Sequence, residues 1–151
     1  MKKNKHNFLL DVLLGSKSYL KSKMIKNSIK RKSYYLKNHL HINNIETKIK
    51  IIWLKTPQMI NDNLVKLNDL DYNLCYFINR QTNFNSYEFQ IPFDIVIVNL
   101  FWEIVKMYPN FKPNNEIEEL SKTHHIFVLA TNSINALSLK VNDRLCTMKK
   151  Y

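Results

Sequence analysis

The sequence predicts an α/β fold, a flavodoxin-like parallel sheet of about four to five strands flanked by helices, with a basic helical N-terminal extension. Two apolar runs carry the sheet. Asp94-Ile95-Val96-Ile97-Val98-Asn99 and Ile126-Phe127-Val128-Leu129-Ala130-Thr131-Asn132 are continuous in β-branched and aliphatic residues and do not alternate. Strands buried on both faces read this way. A stretch of helical character lies between them, giving the strand–helix–strand pattern of a parallel crossover. Ligand contacts in such sheets gather at the carboxyl ends of the strands, which would place Asn99 and Asn132 at one functional edge.

The elements follow in order. Phe8 to Leu14 is a short apolar segment that turns at Gly15-Ser16. Lys17 to Leu40 reads as a basic helical region, with Leu20, Met24, Tyr35 and Leu36 on one face. His39 to Thr47 reads as a loop. Lys48 to Leu54 is the first strand, and Thr56-Pro57 starts a helix as N-cap and first helical residue. Leu74 to Ile78 is the second strand, followed by a polar loop from Asn79 to Phe89. The Asp94 run is the third strand. Leu100 to Met107 reads as helix, broken by Pro109 and Pro113, and Glu116 to Lys122 as a further helical turn. The Ile126 run is the fourth strand, and Asn142 to Lys150 is a terminal helical candidate. Two regions result: a basic N-terminal helical region, 1–45, and an α/β domain, 46–151.

Charge divides the chain unevenly. Residues 1–55 hold 14 basic and 2 acidic side chains, and residues 56–151 hold 9 and 10. A near-neutral body joined to a strongly basic third implies a polyanionic partner. The alternative is a solvated lysine-rich tail. The 151 residues suffice for one domain with a core. Gly15 is the single glycine, so neither a phosphate loop nor a dinucleotide fingerprint can be built. Cys75 and Cys146 form no metal pattern and read as reduced residues. The longest apolar stretch, Ile91 to Val105, is too short to span a bilayer and carries Asp94, Asn99 and Glu103. The start of the chain has neither a secretory apolar core nor the look of a transit peptide. Abundant Lys, Asn and Ile suggest an AT-rich coding genome such as an organelle's own.

Catalytic chemistry finds little support. His124-His125 precedes a strand, yet adjacent histidines project apart and lack further ligands at metal spacing. Asp94 with Asp143, or Glu116 with Glu118 and Glu119, could pair as carboxylates, but no spacing specifies an acid and a base. The loop Arg80-Gln81-Thr82-Asn83-Phe84 combines a cation, amides and a ring directly after a strand, a set suited to phosphate and ribose; the alternative is an ordinary turn over a buried Phe84. Phe101, Trp102 and Tyr108 fit the core or a protein contact.

Four stretches resemble the small-subunit ribosomal protein S-two family. Lys48-Ile49-Lys50-Ile51-Ile52-Trp53-Leu54 and the Gln58-containing helix after it look like the family's first strand and helix. Tyr76-Phe77-Ile78-Asn79-Arg80 with Thr82-Asn83-Phe84 is similar to its strand and Thr-Asn-Phe turn. Ile91-Pro92-Phe93-Asp94 and the strand behind it look like the Leu-Pro-Asp strand, with Phe93 as one extra residue. Ala130-Thr131-Asn132 is similar to the Asp-Thr-Asn strand end, and Asn142-Asp143 to the pair that opens the last helix. Ala130 and Arg144 replace family aspartates, and the long coiled-coil insertion is absent.

The resemblance implies a reduced mitochondrial form of a small-subunit ribosomal protein, organelle-encoded, without catalysis or cofactor. Its partners would be small-subunit rRNA and neighbouring ribosomal proteins. Lys17, Lys21, Lys23, Lys26, Lys30, Arg31, Lys32 and Lys37 would neutralise phosphates and release counterions. Arg80, Asn83, Asn132 and Asn142 would supply fixed polar contacts at strand ends and loops. Two other classes stay open: a small nucleic-acid enzyme, and a non-catalytic assembly subunit of an organellar membrane complex.

Overall fold

The structure, a computed structural model, describes residues 38–118, 120–122 and 124–147. The strands β1 (His39–Ile42), β2 (Ile45–Leu54), β3 (Leu74–Ile78), β5 (Phe93–Val98), β6 (Ile104–Phe111), β8 (His125–Leu129) and β9 (Leu145–Cys146) form one seven-stranded sheet, ordered β6-β5-β8-β3-β2-β1-β9. A separate two-stranded sheet pairs β4 (Phe84–Asn85) with β7 (Glu116–Ile117). Among the described residues helix is scarce: α1 (Pro57–Ile60), continued by a π turn over Asn61–Val65, and α2 (Ser133–Ala136).

The expected strands over Lys48–Leu54, Leu74–Ile78, Asp94–Val98 and Ile126–Leu129 are present, but the parallel flavodoxin-like sheet is not. Among the described residues, only β2 and β3 pair in parallel, joined across α1; β3 with β8, β8 with β5, and β5 with β6 are antiparallel. The reason lies just after β5. The expected helix from Leu100 to Met107 is a tight turn followed by β6. Asn99 Oδ1 accepts from the backbone N–H groups of Phe101 (2.9 Å) and Glu103 (3.1 Å), and Trp102 takes φ 68°. This Asx-type reversal turns the chain straight back along β5, so no crossover forms. Pro109 is tolerated because β6 is not flanked by a full strand on its outer side. His39–Thr47, expected as a loop, is the β1–β2 hairpin, with Asn43 and Asn44 both at positive φ in its turn. Glu116–Ile117 and Leu145–Cys146 are short strands where helical turns were expected. The basic helical extension lies, through residue 37, outside the described residues.

The outer strands of the sheet are bridged. Ile104 N donates to Asp143 O (2.8 Å), Asn142 N to Ile104 O (2.9 Å) and Leu145 N to Trp102 O (2.8 Å), so the start of β6 pairs with the segment leading into β9. That segment is bonded on its other side to β1: Asn43 N donates to Arg144 O, and Arg144 N to Asn43 Oδ1, both at 2.8 Å. Asn43 Nδ2 also donates to Asp143 Oδ1 (3.0 Å). That bond, then the Lys140 backbone N–H, holds the Asp143 carboxyl below the usual range. The sheet thus closes on itself, and irregular register in β5–β6 and β1–β2 supplies the bending that closure needs.

Closure explains why the strands are apolar on both faces. The inner face packs Leu40, Ile51, Phe77, Val96, Phe127 and Leu129, with Ile134 and Leu139 inserted from α2 and its following turn. The outer face packs Tyr76, Ile78, Ile95, Ile97, Ile126 and Val128 beneath Leu64, Leu70, Phe84, Phe89, Ile117 and Leu120. Each fully buried large side chain contributes roughly 1.5–3 kcal/mol of transfer free energy.

Asp94, fully buried at the start of β5, is a structural carboxylate. It accepts from Asn110 N and from Ile134 N, each at 2.8 Å. It thereby ties β6 to α2, whose own N-cap residue Asn132 makes no side-chain cap bond. Asp94→Ala is expected to destabilise the fold by about 3 kcal/mol, because both backbone bonds are lost and the buried Ile134 amide is left without its acceptor. Urea denaturation measures this; a change below about 1 kcal/mol would show that the carboxylate does not carry the link.

Candidate functional site

Parallel pairing brings the carboxyl ends of β2 and β3 together, with Leu54 level with Ile78. The antiparallel partners add the start of β8 and the end of β5, since Ile78 faces Ile126 and Val98 faces His125. One end of the sheet therefore collects Trp53-Leu54-Lys55, Asn79-Arg80, His124-His125 and the turn from Asn99 to Trp102. Rings fill the space between these ends. Phe77 lies 5.2 Å from Trp53, 5.0 Å from Phe127 and 5.6 Å from both Trp102 and His125, centroid to centroid. Trp102 stacks on His125 at 5.1 Å with planes 23° apart. Contacts of this kind add about 0.5–1.5 kcal/mol beyond burial. Lys55 Nζ sits 5.8 Å from the Trp53 ring, within cation–π range.

His125 is buried beneath this stack. Desolvation first, then the positive charges of Arg80 and His124, push its pKa below the ordinary value. Its Nδ1 accepts from Arg80 N at 3.4 Å, a bond that suits the neutral ring. Local costs also concentrate here. Arg80 and Trp102, at φ 48° and 68°, hold left-handed backbone without the side chains that ease it. Among the described residues, Trp53 Nε1, Arg144 Nε and Thr147 Oγ1 are buried without a hydrogen-bond partner, and of these Trp53 belongs to the strand ends gathered here. Above the rings, Phe101 is 72% and Leu100 47% exposed.

The residues predicted from sequence are dispersed. Arg80 lies in this site. Asn99 does too, but its amide is spent on the turn. Asn132 lies at the opposite end, because β5 and β8 run antiparallel: Asp94 pairs with Leu129. The expectation that Asn99 and Asn132 share an edge is therefore corrected. Asn132 and Asn142 hold left-handed backbone at φ 72° and 74°, a role that asparagine fills in place of glycine. Asn142 borders the site through its bond to Ile104. Asn83 lines a different feature, an open groove of about 540 Å³ shared with Gln58, Asn61, Gln81 and Tyr87. Phe84 is buried on β4, so the polar loop expected from Asn79 to Phe89 is interrupted by a short strand paired with β7. Lys17, Lys21, Lys23, Lys26, Lys30, Arg31, Lys32 and Lys37 lie outside the described residues.

Sequence reasoning passed over Trp53, Lys55 and the position of Phe101. The usable signal was Asn99 followed by three apolar residues, an Asx turn forcing rings to its tip. Among the described residues, no group of three or more His, Cys, Asp or Glu could hold a metal. Cys75 and Cys146 are buried, and burial pushes the Cys75 pKa far up, which makes it a poor nucleophile.

No family model matches the sequence, and comparison with curated proteins finds no match. Two solved structures share the fold. One is a protein of unknown function from Novosphingobium aromaticivorans DSM 12444, with TM-score 0.60 and 15% identity over 71% of this chain and 82% of that one. The other, described as a "putative transcription regulator (R01717)" from Sinorhizobium meliloti 1021, gives TM-score 0.61 and 15% identity over 74% of this chain and 94% of that one. At this identity the likeness is one of fold.

The His125 shift has a definite sign. The folded chain disfavours the imidazolium, so the contribution of the neutral ring is complete above the ordinary value of about 6.5 and is lost as pH falls through the lower folded value. Melting from pH 7.5 to 5 is expected to show a fall in Tm that His125→Phe removes. Equal falls in both proteins would contradict the assignment.

Proposed function

We propose that the chain is a non-catalytic RNA-binding subunit of an organellar ribonucleoprotein, with the mitochondrial small ribosomal subunit as the particle to which the four matching stretches point. The observation that carries this reading is charge segregation. Residues 1–37 hold 11 basic side chains against Asp11, whereas residues 38–147 hold 10 basic and 11 acidic. A segment so charged would bind phosphate polyanions by counterion release, and the neutral body would orient it within an assembly. Lys55, Arg80 and the rings beside them add a second set of suitable groups.

The matching stretches fall on β2, β3, β5 and β8, but the antiparallel pairing differs from the family's parallel sheet. The proposal therefore rests on charge and on the strand-end site, not on shared topology. DNA is the second polyanion to test, given the description of the Sinorhizobium neighbour. No helix among the described residues is long and apolar enough to cross a membrane. The competing reading, an assembly subunit of a membrane complex, requires association that survives RNase.

Sedimentation of organelle lysate with and without RNase tests the proposal. Co-migration with the small subunit that RNase abolishes is the expected result; unchanged migration would sink it. For the purified chain, engaging at least four phosphates predicts that log K falls with log salt with a slope of about −3 or steeper on single-stranded RNA. A flat salt dependence, or preference for duplex DNA over RNA, would contradict it.

A further inference from the structure

We propose that the strand ends around Trp102 bind an unpaired stretch of RNA, with Phe101 as the platform for a base and Lys55 and Arg80 as contacts for the adjoining phosphates. This deepens the RNA-binding reading and rests on it. Phe101 stands at the tip of the β5–β6 turn, 72% exposed and beside the exposed Leu100. The tip is rigid. Asn99 Oδ1 holds the Phe101 and Glu103 amides, and Leu145 N holds the Trp102 carbonyl. Trp102 is anchored on His125, to which Arg80 N also bonds. A ring presented on so fixed a support loses little freedom when a base stacks on it.

Charge selects the occupant. The exposed Lys55 and Arg80 follow the neighbouring ends of β2 and β3, at the same end of the sheet as the tip. His124 follows the same rim. Two carboxylates border the tip, Glu103, whose Oε2 accepts from Asn99 Nδ2 at 3.0 Å, and Asp143, which accepts from Asn43 and the Lys140 amide; these bonds fix their positions and leave their charge in place. A cationic rim around one exposed ring matches unpaired bases on a phosphate chain, because every base offers a π face. A duplex keeps those faces stacked internally and could meet the cations only.

The test is fluorescence anisotropy of labelled 12-nucleotide oligouridine and of a 12-base-pair RNA duplex, each titrated with the full chain. Phe101→Ala is expected to weaken oligouridine binding by about fivefold to a hundredfold, the range of one aromatic–base stack, and to leave the duplex within about twofold. Phe101→Tyr should retain oligouridine binding. Arg80→Asn, which keeps a side chain tolerant of left-handed backbone, should lower the salt slope by about one on oligouridine. Unchanged oligouridine binding by Phe101→Ala overturns this proposal while leaving the broader one standing. Failure of the unaltered chain to bind either RNA overturns both. A change in the sedimentation of RNA-free chain on Phe101→Ala, with RNA affinity intact, would make the tip a protein contact and likewise overturn it.

Discussion

The short segment from Asn142 to Leu145 constrains the whole body. It bonds to the start of β6 on one side and to the β1–β2 turn on the other, so it joins the two ends of the sheet. An open sheet with these strands would expose one of two apolar faces, since both sides of β3, β5 and β8 are apolar. Closure turns one face into an enclosed interior, and the loops and α1 cover the other. The strain at Trp102 belongs to the same device, because its carbonyl receives the Leu145 amide. The ring site at the strand ends is a by-product of where the seam lies.

A chain with almost no glycine must make its tight turns with other residues. Among the described residues, asparagine occupies six left-handed positions: Asn43, Asn44, Asn110, Asn114, Asn132 and Asn142. Its short amide tolerates that backbone and bonds locally, as Asn43 does across the seam. Much of the asparagine content that the sequence offers as polar contact is thus turn chemistry. Arg80, Trp102 and Ser138 hold the same backbone without an asparagine amide, and of these Arg80 and Trp102 both touch His125.

Strand positions were legible in the residues, and strand directions were not. The runs over Asp94–Val98 and Ile126–Leu129 are apolar enough to announce burial on both faces, but a parallel sheet between helices and a closed mixed sheet demand the same pattern. Direction was set by Asn99, whose amide makes a four-residue reversal where apolar spacing suggested a helix. The Thr56-Pro57 helix start was readable because capping is local: Thr56 Oγ1 accepts from Met59 N at 3.2 Å. Arg80 was read as following a strand, and it stands two residues after β3. Its neighbours in the site were hidden because Trp53, Trp102 and His125 meet only through long-range pairing.

Amide hydrogen exchange on the full chain tests the seam most directly. Asn43, Ile104 and Leu145 are three of the four donors of its backbone bonds, with Asn142 the fourth. If closure holds the body together, their amides exchange only through global unfolding, as slowly as those of Phe77 and Phe127 in the central strands. Rapid exchange at these three positions, with β3 and β8 still protected, would show an open sheet and contradict the account.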